Sequence, residues 1–225
     1  MCYPFLHSIP DTTWKGKPFT YEGRFRSVQN IQVVPQPLQH PVPLYISVFS
    51  PPTLEWAAQQ GYNVILAPFA AAANFGDMEG TLAHYREVAE KSGYSNLDAR
   101  CSYFVYVIDE NESVDAQQQE AVEAMIRYFR TTAQDFPQGE VPEHMKYWLA
   151  LRERLSSITP EMLNTNSVIF GTPSFCVDQF KRVEAAGISH VICYFDFGGL
   201  PKQRVERNIH LFAEKVMPAF EAQRG

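Results

Sequence analysis

Apolar positions along the chain alternate between two periods. Short continuous apolar runs, Leu44–Phe49, Asn63–Ala67, Ser102–Ile108 and His190–Phe195, predict buried β-strands. Between them the spacing becomes helical. Thr53–Gln60 stops at Gly61, and Gly76–Ser92 stops before Gly93 with Leu82, Tyr85, Val88 and Ala89 on one face. Ser113–Thr132 places Val122, Met125, Ile126 and Phe129 on one stripe. Thr172-Pro173 predicts an N-cap with proline at the first helical position, opening a helix that ends at Gly187. Arg204–Phe220 predicts an amphipathic closing helix, and Glu143–Ser156 a helix within an otherwise irregular stretch. Upstream, Phe19–Tyr21 and Phe25–Val34 flank Glu22-Gly23 as a β-hairpin. Pro35, Pro37, Pro41 and Pro43 then force an extended connection.

Strands alternating with helices imply parallel pairing through right-handed crossovers, hence an α/β fold. Four strands leave two open edges, whereas a closed barrel needs eight. The expected organisation is a single domain over residues 1–225. Residues 1–43 supply the hairpin and Pro-rich lead-in, and 44–225 the β/α units. Composition is that of a globular protein, with 45% hydrophobic and 20% charged residues. Net charge is −6 and no segment concentrates Lys and Arg, which argues against nucleic acid and anionic membranes as partners. Neither a signal segment nor an apolar run of spanning length is visible, so a cytoplasmic location is expected. Cys101, Cys176 and Cys193 fall in apolar surroundings and read as small buried hydrophobes. The six histidines form no HExxH-type cluster, so no metal site is expected.

The segment Val48–Trp56 has the chemistry of a ligand turn: strand end, tight turn, helix start. Ligands of parallel α/β proteins bind at this end of the strands, and a helix amino terminus favours anions. Ser50 and Thr53 add hydroxyl donors, while Pro51 and Pro52 remove backbone ones. Capping by Ser50 is the simpler local reading. Asp109-Glu110 can be read as acid–base carboxylates, but acids here more simply favour the start of the Ser113 helix. His84 and His144 fall on polar helix stretches, and His190 is expected to be buried and hydrogen-bonded. Gly198-Gly199 is either a backbone approach to a ligand or an ordinary turn. Tyr45, Phe69, Tyr103 and Phe195 read as core, or as cavity lining; Trp56 reads as packing.

The run P-L-Y-I-S-V-F-S-P-P-T-L-E-W-A-A-Q-Q-G (Pro43–Gly61) is similar to the central segment of the bacterial-luciferase-like flavin-dependent monooxygenases. Further anchors follow that family's order: the Y-E-G hairpin with V-V-P-Q-P-L-Q (Val33–Gln39), Y-R-E-V-A-E-K-S-G-Y (Tyr85–Tyr94), G-T-P (Gly171–Pro173), A-G-I-S-H-V-I-C (Ala186–Cys193) and V-M-P-A-F (Val216–Phe220). The resemblance implies a TIM-barrel-like (β/α) architecture of which only strands five to eight and the preceding hairpin are present. It implies that Met1 is an internal methionine of a longer frame, or that another polypeptide completes the barrel. It places Ser50 and Thr53 on the FMN phosphate, Pro51 and Phe49 in the same turn, and Ala67-Pro68 beside the flavin ring. Phe49 stands where the luciferases often carry an acid, and Ala67-Pro68 also departs from their pattern.

The activity so implied is oxidation of a small organic substrate by reduced FMN and dioxygen, with a separate flavin reductase supplying the FMN. Catalytic residues are not identified. Aldehyde, alkanesulfonate, long-chain hydrocarbon and natural-product substrates all suit the fold. A homo-oligomer or a complementing chain is the expected assembly. The alternatives are a non-catalytic flavin-binding or partner subunit of the same family, and an unrelated open-sheet phosphate-binding protein.

Overall fold

A computed structural model describes residues 13–23, 26–142, 146–163 and 168–221. The chain divides into two units, residues 1–44 and 45–225. In the first, β1 (Phe19–Glu22) and β2 (Ser27–Ile31) pair antiparallel with Tyr21 opposite Val28, and the Gly23 amide donates to the Arg26 carbonyl at 3.0 Å. This is the predicted hairpin. Phe25, assigned to its second strand, lies outside the described residues.

The second unit is built on a parallel sheet. Its strands are β3 (Tyr45–Val48), β4 (Asn63–Leu66), β5 (Ala99–Val107), β6 (Val168–Gly171) and β7 (His190–Tyr194). The order is β3-β4-β5-β6, with β7 also paired to β5. Five strands replace the expected four. The addition is β6, whose V-I-F-G run is buried throughout yet short enough to pass for the approach to the Thr172 cap. No closure of the sheet into a barrel is seen among the described residues. Without β6, neighbouring strands follow one another in chain order, β3-β4-β5-β7.

The helices are α1 (Pro51–Gln59), α2 (Pro68–Phe75), α3 (Met78–Lys91), α4 (Val114–Gln134), α5 (Lys146–Ser156), α6 (Pro173–Ala185), α7 (Lys202–Leu211) and α8 (Pro218–Glu221). Ser113 and Thr172 cap α4 and α6 through their hydroxyls, the second as predicted. Helix α2 gives no periodic signal, because P-F-A-A-A-A-N-F is apolar almost all round. The expected closing helix is divided by a π-turn over Phe212–Val216, closed by Met217 N–H donating to the Phe212 carbonyl at 3.0 Å. The turn lies just before Pro218, which lacks an amide donor and would clash with an α-helical carbonyl four residues back.

Register sets the character of each sheet face. Val48, Leu66 and Cys101 stand abreast and are buried, and Tyr103 and Val105 continue that side. Burial pushes the Cys101 and Cys176 thiols up to about 12, which suits inert packing groups. Ser47, Ile65, Arg100 and His190 share the opposite side, followed by Ser102 beside Ile192 and Phe104 beside Tyr194. On this side Ile192 is 40% and Tyr194 46% exposed. Only at its carboxyl end is it covered. There Phe104 meets Tyr128 and Phe129 of α4, with ring centroids 5.0 and 6.2 Å apart, and the Tyr106 hydroxyl donates to Glu120 at 2.7 Å. Tyr106, Ala121, Ala124, Met125, Phe170 and Phe197 form the core beneath α4.

At the amino ends of the strands, Asp98 accepts hydrogen bonds from the Tyr45 hydroxyl, the Arg100 Nε at 3.0 Å and the Ser189 hydroxyl. Burial alone would raise the Asp98 carboxyl; the three donors outweigh it and hold the group below its ordinary value.

Candidate functional site

Ser50 follows β3 and precedes α1 at the carboxyl edge of the sheet. Its extended backbone (φ −135°, ψ 149°) is that of an N-cap, yet its side chain caps nothing. The local preference for capping is thereby corrected. Pro51 and Pro52 occupy the first helical turn and have no N–H to offer, and the Thr53 and Leu54 amides both donate to the Ser50 carbonyl at 3.1 Å. With those donors engaged in the turn, the Ser50 hydroxyl lies instead 3.0 Å from that of Thr53. The turn therefore presents two adjacent hydroxyls at a helix amino terminus, a donor set suited to phosphate oxygens.

A crevice of about 10 Å³ beside Ser50, with room for about one water, is walled by Phe49, Leu66, Ala67, Ala70 and Thr81. Phe49, Ala67 and Ala70 also line a second, larger cavity of about 640 Å³. That volume is typical of a cofactor or substrate site. Pro68 and Phe69 of α2 form one side, Ser102, Phe104 and Tyr194 the sheet side, and Tyr128, Phe129 and Thr132 of α4 the far side. Phe136, Trp148, Leu151 and Leu155 complete it, with Asp196 beyond the end of β7. Helix α5 is fixed to this turn: the Tyr147 hydroxyl donates to the Phe49 carbonyl, and the Trp148 ring lies 6.4 Å from that of Phe49.

The structure thus brings together five of the six residues singled out around the turn and ring. Phe49, Ser50 and Ala67 share the crevice, Phe49, Ala67 and Pro68 share the cavity, and Thr53 touches Ser50. Pro51 lies in the turn without lining either space. Of the aromatics weighed as cavity lining, Phe69 lines it. Tyr103 is core, Tyr45 serves Asp98, Phe195 packs on Phe212, and Trp56 packs on Tyr62. The walls from α4 and α5 escape a reading of the sequence. Phe136, Tyr147 and Trp148 crowd an irregular stretch, and that local aromatic density is the available signal.

Other candidates are structural. Asp109 is buried, accepts from the Asn111 backbone and pairs with Arg207, so it locks α7 to the end of β5 and does not face the cavity. Those contacts, the Asn111 amide first, hold its carboxyl below the usual range. It precedes the Ser113 cap by four residues, which places it outside the first turn of α4. Gly198 has φ +60°, and an added Cβ would collide with the Ala124 carbonyl oxygen. Arg127 donates to the Gly198 carbonyl at 2.9 Å, so this turn is clamped on α4. His190 is exposed, not buried, with Nδ1 2.9 Å from the Ser189 hydroxyl. His84 meets Glu55 at 3.1 Å, and His144 lies outside the described residues.

Residues 8–190 match the luciferase-like monooxygenase family. The chain belongs to that family. Among luciferase-like relatives, the flavin-dependent trigonelline monooxygenase oxygenase component of Acinetobacter baylyi is 26% identical over 92% of this chain and 56% of its own length. An alkanal monooxygenase alpha chain of Photorhabdus luminescens is 27% identical over 78% of this chain and 50% of its own length. The chain therefore spans about half the length of these curated luciferase-like relatives. The fold agrees with that of monooxygenase RslO1 from Streptomyces bottropensis, at a TM-score of 0.62 and 21% identity over 92% of this chain and 57% of that one. No described helix is long and apolar enough to cross a membrane.

Proposed function

We propose that this chain forms the carboxyl-terminal, phosphate-gripping part of a flavin-dependent monooxygenase that uses reduced FMN and dioxygen to oxidise a small organic substrate. The observation that carries this reading is the junction of the two spaces: hydroxyls 3.0 Å apart at Ser50 and Thr53 adjoin a cavity of about 640 Å³ through the shared walls Phe49 and Ala67. A cofactor with an anionic tail and a flat apolar head fits that arrangement. Bound flavin would supply the electrons that activate dioxygen. Ser50 and Thr53 would donate to its phosphate, and the small surface of Ala67-Pro68 would admit the ring. Phe69 and Trp148 would keep water from the reacting face.

A separate reductase would deliver the reduced FMN, a division of labour supported by the relative named as an oxygenase component. Strands β3, β4, β5 and β7 would act as staves five to eight of a barrel, with residues 1–43 as lead-in within one domain. A cytoplasmic setting suits such a partner. The exposed side of the sheet at Ile192 and Tyr194 would be covered by a complementing chain or a second copy. The same exposure favours the second reading, a non-catalytic flavin-binding or partner subunit.

Titrating the full chain with FMN and with riboflavin, read by flavin fluorescence, tests the site. Binding of FMN should be weaker than micromolar, and the double variant Ser50→Ala/Thr53→Val should weaken it further by at least about tenfold, as loss of charge-assisted hydrogen bonds requires. Riboflavin, lacking the phosphate, should bind both proteins alike. Equal FMN affinity in both proteins would remove the phosphate role from the turn. Silence at millimolar FMN would remove flavin from this chain.

A further inference from the structure

Eight of the sixteen residues lining the large cavity are aromatic, and Asp196 is the single charged one among those described. Phe104 is tilted against Tyr128 and Tyr194 at 5.0 and 5.3 Å, and Phe136 against Trp148 at 5.3 Å. Aromatic faces carry negative quadrupole charge and attract cations, most strongly where water is excluded. The Arg154 guanidinium of α5 is stacked 5.3 Å from the Phe69 centroid and does not line the cavity. An anionic ligand would therefore meet aromatic rings and a carboxylate with no lining cation to offset them. A flat cation would meet both favourably.

We propose that the part of this cavity between Phe104, Tyr128, Trp148 and Asp196 is the substrate chamber, and that it selects a planar aromatic cation. The inference rests on the reading that the flavin ring lies on the Ala67-Pro68 side, which leaves the α4–α5 side for substrate. Aromatic walls give a slot for a ring, where a saturated chain would gain as much from leucines. Asp196, exposed beyond the end of β7, sets the sign of the charge admitted.

N-methylquinolinium and naphthalene-2-sulfonate are flat probes of similar size and opposite charge. Each is titrated into the full chain while tryptophan fluorescence is followed, with Trp148→Phe identifying the reporter. N-methylquinolinium should bind at least about tenfold more tightly than the sulfonate, and Asp196→Asn should weaken it by about fivefold. Because Asp196 is exposed, this variant leaves the core intact. Equal or tighter binding of the sulfonate overturns the proposal, as does an unchanged affinity in Asp196→Asn. The flavin reading fails separately: N-methylquinolinium bound without any response to FMN sinks the flavin assignment and keeps a cationic site. FMN bound without N-methylquinolinium sinks this inference alone.

Discussion

Alternate residues of β5 live in two different solvents. Cys101, Tyr103 and Val105 point into closely packed interior, while Arg100, Ser102 and Phe104 on the other side remain partly exposed. Parallel strands are ordinarily covered on both faces, so the second face is the departure. The difference separates two tasks. The buried face holds the sheet together. The other face carries the cavity, because a ligand can enter only where the interior is incomplete.

Truncating each face tests that division. Tyr103→Ala should cost about 3–5 kcal/mol in urea denaturation, as for other buried aromatic side chains, whereas Tyr194→Ala on the exposed face should cost less than about 1 kcal/mol. Equal costs would erase the distinction between the faces. Next in size, Asn208→Ala should cost about 1–3 kcal/mol, because the Asn208 side chain accepts the buried Val107 amide at the end of β5. A smaller effect is expected from Thr172→Ala, which removes the α6 cap from the packed side at about 1 kcal/mol. The smallest is a pH effect at the amino ends. Asp98 is held below its unfolded value, so its contribution is full above the ordinary carboxylate range and is lost as pH falls through the folded value. Melting temperature measured from neutral to strongly acidic pH should therefore fall less steeply in Asp98→Asn than in wild type.

Elements that announce themselves by period or cap are legible in the sequence: the hairpin, four of the five parallel strands, and α3, α4 and α6 with their stops at Gly93 and Gly187. Strand β6 and helix α2 are not, since four buried residues have no period and an all-apolar helix has no polar face. The turn at Ser50 and Thr53 is legible because it joins a strand end to a proline-started helix within a few residues. The aromatic wall is not, because Phe104, Tyr128 and Trp148 come from three elements whose meeting depends on how α4 and α5 cross the sheet. Asp109 shows a role that neither sequence reading, acid–base group nor helix-start acid, anticipated. A carboxylate after a strand looks like chemistry until Arg207, nearly a hundred residues later, is seen to neutralise it.

Asn208 also fixes an order of events during synthesis. β5 is the strand to which β4, β6 and β7 all attach, yet its final amide finds its acceptor only 101 residues later, at Asn208. A nascent chain emerging amino end first can assemble β3 and β4 early, but the central strand must wait with that amide unpaired until α7, about a hundred residues further along, has left the ribosome. Premature termination between the end of β7 at Tyr194 and Asn208 would thus leave a protein with its sheet strands present and a defect at the sheet's middle, a substrate for chaperones and proteases.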